Sequence, residues 1–249
     1  MKILSFDTST SVLHLSLLHD MQPVLERAIE PVSANRSEVG SLLMPQIDSA
    51  FREAGWGKRD AHMIVVGVGP GSFTGIRVAV ITGRTLAQIL QLPLMGVSLL
   101  ETTYAALGRL EPAAVIISTS SNHFYYGAFQ RSAAAGVTSL VESGCGGPEA
   151  VHSALSAVPL WLADEKARQS FSEHPTEALP FLKNIATSQA QLAVDRLSLK
   201  GFSCEDEKNR RELSETFSWR DVLPLYLRSP SVTLKKSYAA DPNPAHEHR

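Results

Sequence analysis

Two tandem α/β lobes, each a mixed sheet with helices, are the fold class that this sequence predicts, and three observations predict it. Near the N-terminus apolar residues alternate with polar ones, as in the paired strands of a meander. Farther on, the apolar spacing changes to i, i+3, i+4, the buried stripe of an amphipathic helix. The resulting order is three strands followed by helix, strand, helix, strand, helix. It is met in residues 1–107 and again in residues 108–235, without a sequence repeat and with no strand read between the last two helices.

Residues 3–6 form a short apolar strand, and Asp7-Thr8-Ser9-Thr10-Ser11 is a run of side chains that bond their own backbone and so favour a turn. In the strand 12–18, Leu13, Leu15 and Leu17 alternate with His14 and Ser16. A third strand, 24–29, follows a turn at His19, Asp20 and Met21. From Val39 the apolar positions Leu42, Leu43, Ile47, Ala50, Phe51 and Ala54 line one helical face. Asn35 with Glu38 resembles a capping box, and Gly55 is a natural stop. Pro45 removes one helical hydrogen bond, which predicts a kink. Residues 62–68 are almost continuously apolar, as in a strand buried on both faces. After the glycine-rich loop 69–75 come a helix over 76–90 and a strand over 94–97, and Ser98 with Glu101 reads as a capping box opening a third helix.

The second half supplies strands at 114–118, 124–130 and 137–142, a helix at 148–158, a strand at 160–163, and helices at 165–174 and 184–199. Residues 205–212 are a mixed charge run. Residues 236–249 are polar and contain proline, which predicts a disordered tail. This duplicated order is that of the actin-like (ASKHA, ribonuclease H-like) fold.

Lys and Arg total 23 against 25 Asp and Glu, a net charge of −2. Tight autonomous binding to nucleic acid needs a surplus of Lys and Arg, so RNA is expected only through a partner. Cys145 and Cys204 lie far apart and form no C-x-x-C pair, which argues against a disulfide framework or zinc ribbon and for a reducing compartment. Asp7 follows Lys2 too closely for a signal-peptide core, and no apolar run approaches the ~18 residues of a membrane span. A cytoplasmic location is therefore expected.

Gly69-Pro70-Gly71-Ser72-Phe73-Thr74-Gly75 is the strongest local signal, because glycines on a strand-to-helix turn free backbone N–H groups to face an anion. Its spacing fits neither a Walker A loop nor a dinucleotide fingerprint, and Pro70 spoils a nucleophile elbow around Ser72. The alternative is that the glycines serve a tight turn and close packing. Asp7, Thr8 and Ser9 resemble the first phosphate loop of actin-like kinases, but the matching stretch 118–123 carries neither acid nor glycine. Together with Gly69, Gly71, Ser72, Thr74 and Gly75 these residues are expected to be vestigial phosphate loops. An ATPase or phosphotransferase using Asp7 and the glycine loop stays open as the rival reading. No histidine pair falls at i, i+4 on a predicted helix, so neither a metal nor a cofactor is expected.

On the second helix Ala79, Gly83 and Ala87 form a small-residue face suited to close helix approach. Together with Leu42, Leu43 and Ile47 on the first helix, and with Leu86 and Leu90, they are expected to form a partner interface. A purely internal contact between the two helices is the competing reading.

Several of these stretches resemble the TsaB (YeaZ) family: Asp7-Thr8-Ser9-Thr10, Ser37-Glu38 with the 42–47 helix segment, the glycine loop through Arg77, residues 97–101, and Pro224-Leu225-Tyr226-Leu227-Arg228. Residues 119–126 depart from the Asp-Ala-Arg-like motif common there, and Arg36 replaces a frequent histidine. The resemblance implies a non-catalytic subunit needed for N6-threonylcarbamoyladenosine beside the tRNA anticodon. It implies as partners a TsaD-like catalytic paralogue, a TsaE-like ATPase and, for the chain alone, a second copy in a homodimer.

Overall fold

The computed structural model describes residues 1–31, 38–119, 121–132, 136–200, 202 and 207–228. Asn35, Arg36, Ser37, Cys204, most of the 205–212 charge run and the tail 236–249 lie outside the described residues or have undescribed side chains, as does the Glu38 side chain. The first lobe runs β1 (Lys2–Asp7), β2 (Leu13–His19), β3 (Gln22–Ile29), α1 (Glu38–Glu53), β4 (Met63–Gly67), α2 (Phe73–Leu90), β5 (Leu94–Val97) and α3 (Leu99–Ala106). The second runs β6 (Ala113–Ser118), β7 (Phe124–Ser132), β8 (Gly136–Gly146), α4 (Pro148–Leu155), β9 (Trp161–Ala163), α5 (Glu165–Ser170), β10 (Thr176–Ala178) and α6 (Ile185–Leu199), followed by α7 (Glu207–Thr216).

Each sheet has five strands, ordered β3-β2-β1-β4-β5 and β10-β9-β6-β7-β8, so one sheet repeats the topology of the other. In the first, β1 pairs antiparallel with β2 and parallel with β4. The second repeats this with β6 between β7 and β9.

Side-chain alternation divides the core into layers. Leu4 and Phe6 of β1 join Leu13, Leu15 and Leu17 of β2 under α1 and α2. Ile3 of β1 and Met63 and Val65 of β4 face α6 on the other side of the sheet. The second sheet is covered by α4 and α5 on one face and by α3 on the other. Helices α3 and α6 thus lie between the sheets, joined by an ion pair from Arg196 to Glu101. The sequence places α6 in the second lobe; the structure lays it on the first sheet, because Ala190, Ala193 and Leu197 complete that sheet's apolar face.

Several local expectations change. Helix α2 begins at Phe73, three residues earlier than predicted, since Ser72 caps it by accepting from Gly75 N–H at 3.3 Å. Ser98 makes no side-chain cap on α3, and Glu101 turns to Arg196 rather than closing a capping box. Pro45 lies inside α1, and Gly55, at φ +66°, follows its end. Sequence reasoning missed β10, a short exposed pairing, and α7, whose polar turns hide one buried anchor, Leu213.

Candidate functional site

The glycine loop closes on the turn after β1. The Ser72 amide donates to the Ser9 carbonyl at 2.6 Å, and the Thr8 hydroxyl donates to the Gly75 carbonyl at 2.7 Å. The Ser9 amide is held by Oδ1 of Asp7 at 2.6 Å, an Asx turn. A Cβ on Gly71 would lie 2.2 Å from the Ser9 carbonyl oxygen, and one on Gly75 would lie 1.9 Å from that of Thr8. The glycines therefore let two loops pack backbone to backbone. Ser9, Ser72 and Gly75 spend their amides inside the protein, while Gly71, Phe73 and Thr74 line the cleft between the lobes. Gly69, at φ +95°, supplies the left-handed turn, and Thr74 is exposed on the first turn of α2.

Asp7 is fully buried, and its Oδ2 has no hydrogen-bond partner among the described residues. As the metal-holding acid of a kinase it fits poorly, because its carboxylate is sealed against Gly67 rather than facing the cleft. Among the described residues no three His, Cys, Asp or Glu side chains converge as metal ligands.

The matching hairpin of the second lobe is organised by Asp164, which sequence reasoning overlooked. It accepts from the Ser118 amide at 2.7 Å and the Ser118 hydroxyl at 2.6 Å, and it caps α5 through the Ala167 amide at 2.9 Å. The signal was available: an Asp immediately before a helical segment is an N-cap. Burial raises the Cys145 thiol above its ordinary range despite the opposing pull of Arg228, so it is a poor nucleophile.

Between the two loops lies a cleft of about 620 Å³, crossed by the C-terminal segment 225–228. Leu225 N–H bonds the Val68 carbonyl at 2.8 Å, and the Tyr226 hydroxyl accepts from Arg77 Nε at 2.9 Å. The Tyr226 ring lies 4.9 Å from that of Phe73, and Arg77 stacks on Phe73 at 3.9 Å. Arg228 donates to the Ser121 hydroxyl of the second lobe at 2.9 Å. The segment straps one lobe to the other.

The expected partner interface divides. Leu43, Ile47, Ala79, Gly83 and Ala87 are buried within the first lobe, whose sheet and helices already cover them. A Cβ on Gly83 would meet Val66 at 2.5 Å and Leu94 at 3.2 Å, so the small-residue face serves β4 and β5, not another chain. Leu42, Leu86 and Leu90 are half-buried against the same core. The outward apolar surface of these helices is Met44, Ile81 and Ile89, exposed by 49%, 62% and 69%. Periodicity finds both faces of such a helix but does not say which one the sheet consumes.

The duplicated sheets, with paired loops facing across an interlobe cleft, define an actin-like α/β protein. A family profile described as "TsaD: tRNA N6-adenosine threonylcarbamoyltransferase" matches residues 29–216, and the chain belongs to that group, in its TsaB (YeaZ) family. It is 38% identical over 109 residues to the Bacillus subtilis (strain 168) tRNA threonylcarbamoyladenosine biosynthesis protein TsaB, covering 44% of this chain and 45% of that protein. The Escherichia coli (strain K12) protein of the same name is 28% identical over 134 residues, 53% and 56% of the two chains. The chain spans about half the length of the curated relatives it matches. YeaZ from Pseudomonas aeruginosa superposes with a TM-score of 0.64 at 25% identity, over 80% of this chain and 93% of that one.

Proposed function

We propose that this chain is a non-catalytic subunit in the formation of N6-threonylcarbamoyladenosine on tRNA, and that it supports a TsaD-like paralogue by docking it on the outer face of α1 and α2. The observation that carries the docking is the exposure of Met44, Ile81 and Ile89 on adjoining helices whose inner faces are already buried. The loops favour a supporting role over the ATPase reading, since the Ser9 and Ser72 amides are spent within them and Asp7 is fully buried. A TsaE-like ATPase joins the complex in this reading, and the free chain pairs with a second copy through the same face. Its near-neutral charge leaves the grip on tRNA to the partner.

Two experiments test it. Nucleosides from tRNA of depleted cells should lose threonylcarbamoyladenosine; an unchanged level would overturn the assignment. In co-purification with the TsaD-like protein, Ile81→Asp and Ile89→Asp should abolish the complex while the chain melts as wild type, because exposed substitutions cost within about 0.5 kcal/mol. Leu43→Asp, in the core, should instead unfold the chain. A complex that survives both exposed substitutions places the interface elsewhere, and ATP turnover by the purified chain that Asp7→Ala removes would establish the enzyme reading.

A further inference from the structure

Helix α2 carries Arg77 and Arg84 and no acid anywhere from Phe73 to Leu90. The neighbouring α1 differs, since its Asp48 and Glu53 are spent on Arg52 and Arg27. Among the described residues no carboxylate lies within ion-pair distance of Arg77, Arg84 or Arg220. All three guanidinium groups are nevertheless held in place. Arg77 stacks on Phe73 and donates to the Tyr226 hydroxyl. Arg84 lies 5.4 Å and Arg220 4.5 Å from the centre of the Trp219 ring, which is itself packed against the core of the first lobe.

Arg77 and Arg84 stand two helical turns apart, so they share one face of α2 with Ile81 between them. The contacts of Tyr226 with Arg77 and of Trp219 with Arg84 lay the intervening segment along that face, and within it Leu223 is 63% exposed. The result is one strip in which exposed apolar side chains are interspersed with unpaired cations.

A guanidinium stays charged at physiological pH, and stacking on a ring leaves N–H donors free while removing much of the rotamer freedom that binding would otherwise cost. Such a group recognises a carboxylate or a phosphate. Two features favour carboxylates on a protein over the phosphates of RNA. The rings that could stack a base already carry arginines. Ile81 and Leu223 would also stay in water beneath a phosphate backbone, whereas a protein interface covers apolar side chains and rims them with charge.

We propose that α2 and the segment 219–226 form one docking surface for an acidic partner: the TsaD-like protein sets carboxylates against Arg77, Arg84 and Arg220 while its apolar side chains cover Ile81 and Leu223. This rests on the docking proposed above for the outer face of α1 and α2, extends it to the C-terminal segment and names its chemistry.

The test is the rate at which the full chain binds the purified TsaD-like protein, followed by interferometry from about 0.05 to about 0.5 M salt. Association of the wild type should slow roughly tenfold across that range, because charge pairing at an interface acts mainly on the on-rate. Arg220→Glu, at an exposed position, should slow it roughly tenfold at low salt and flatten the salt dependence while the chain melts as wild type. Arg84→Glu should do the same, and Arg84→Gln should do less. Should Arg84→Glu fail to fold, Arg220→Glu decides the matter. A complex that forms at a rate indifferent both to salt and to Arg220→Glu overturns the acidic partner and leaves the helix docking standing. Absence of any complex with the wild-type chain overturns both. Transfer RNA bound by the chain alone and released by Arg220→Glu, with the protein complex unchanged, would make the strip a nucleic-acid site and overturn the proposal.

Discussion

Asp7 and Gly67 meet across β1 and β4 so closely that a methyl group on Gly67 would lie 1.8 Å from Oδ2 of Asp7. The carboxylate cannot swing aside: it is fully buried, and its other oxygen holds the Ser9 amide. Glycine at 67 is therefore the complement of an acid at 7. Gly67→Ala should cost at least the 1–3 kcal/mol typical of overpacking. Asp7→Ala should rescue much of it, so that the double variant is more stable than the sum of the single losses predicts. Urea unfolding of the four proteins measures this coupling, and strict additivity would show the contact to be unimportant.

The same contact explains why part of the site was hard to read from sequence. The strand-to-helix position of the glycine loop was legible, because a buried apolar strand, a Gly-rich turn and an amphipathic stripe are local features. What the glycines serve was not, since their neighbours Thr8 and Ser9 are more than sixty residues away in the chain. Both a phosphate and a second loop ask for backbone without side chains, and only the fold chooses between them. The two-lobe order was legible for the same local reasons. The strap from Arg77 to Tyr226, 149 residues apart, was visible only as a family resemblance with no role attached. Asp164 was legible in principle, because an acid directly before a helical segment is an N-cap signal in the sequence itself.

Gly83 offers a second test of close packing. Alanine is better than glycine in a helix by about 1 kcal/mol, so an open site would gain stability from Gly83→Ala. Here the new methyl would stand 2.5 Å from Val66. The clash should win, lowering the melting temperature by a few degrees, with Gly83→Leu lowering it much further. A rise in melting temperature for the alanine variant would show that β4 and α2 separate more easily than their packing indicates.

The strap should respond in steps. Tyr226→Phe removes the acceptor for Arg77 but keeps the ring against Phe73, a loss of about 0.5–1.5 kcal/mol at most. Tyr226→Ala removes both contacts, and the Leu225 amide, bonded to Val68, should then exchange roughly tenfold faster or more. Hydrogen exchange on the two variants reads this directly. Equal protection in both would mean that the Leu225–Val68 bond and Arg228 hold the segment without the aromatic contact.

His14 sets a pH dependence whose sign follows from its burial. Its folded pKa lies below the ordinary 6.5, with desolvation as the largest cause and Asp7 and the Lys183 backbone opposing it. Over the interval between the folded and unfolded values the unfolded chain binds more protons, so stability rises with pH there. The contribution is fully present above about pH 6.5 and is lost as pH falls from there through the lower folded value. His14→Gln keeps a neutral polar side chain that does not titrate in this range. Urea midpoints taken at intervals between about pH 8 and about pH 5 should fall more steeply for the wild type than for His14→Gln, the difference isolating this group from the other histidines. Parallel curves would mean that the ring takes up its proton inside the folded protein as readily as outside it, and that Asp7 outweighs the burial.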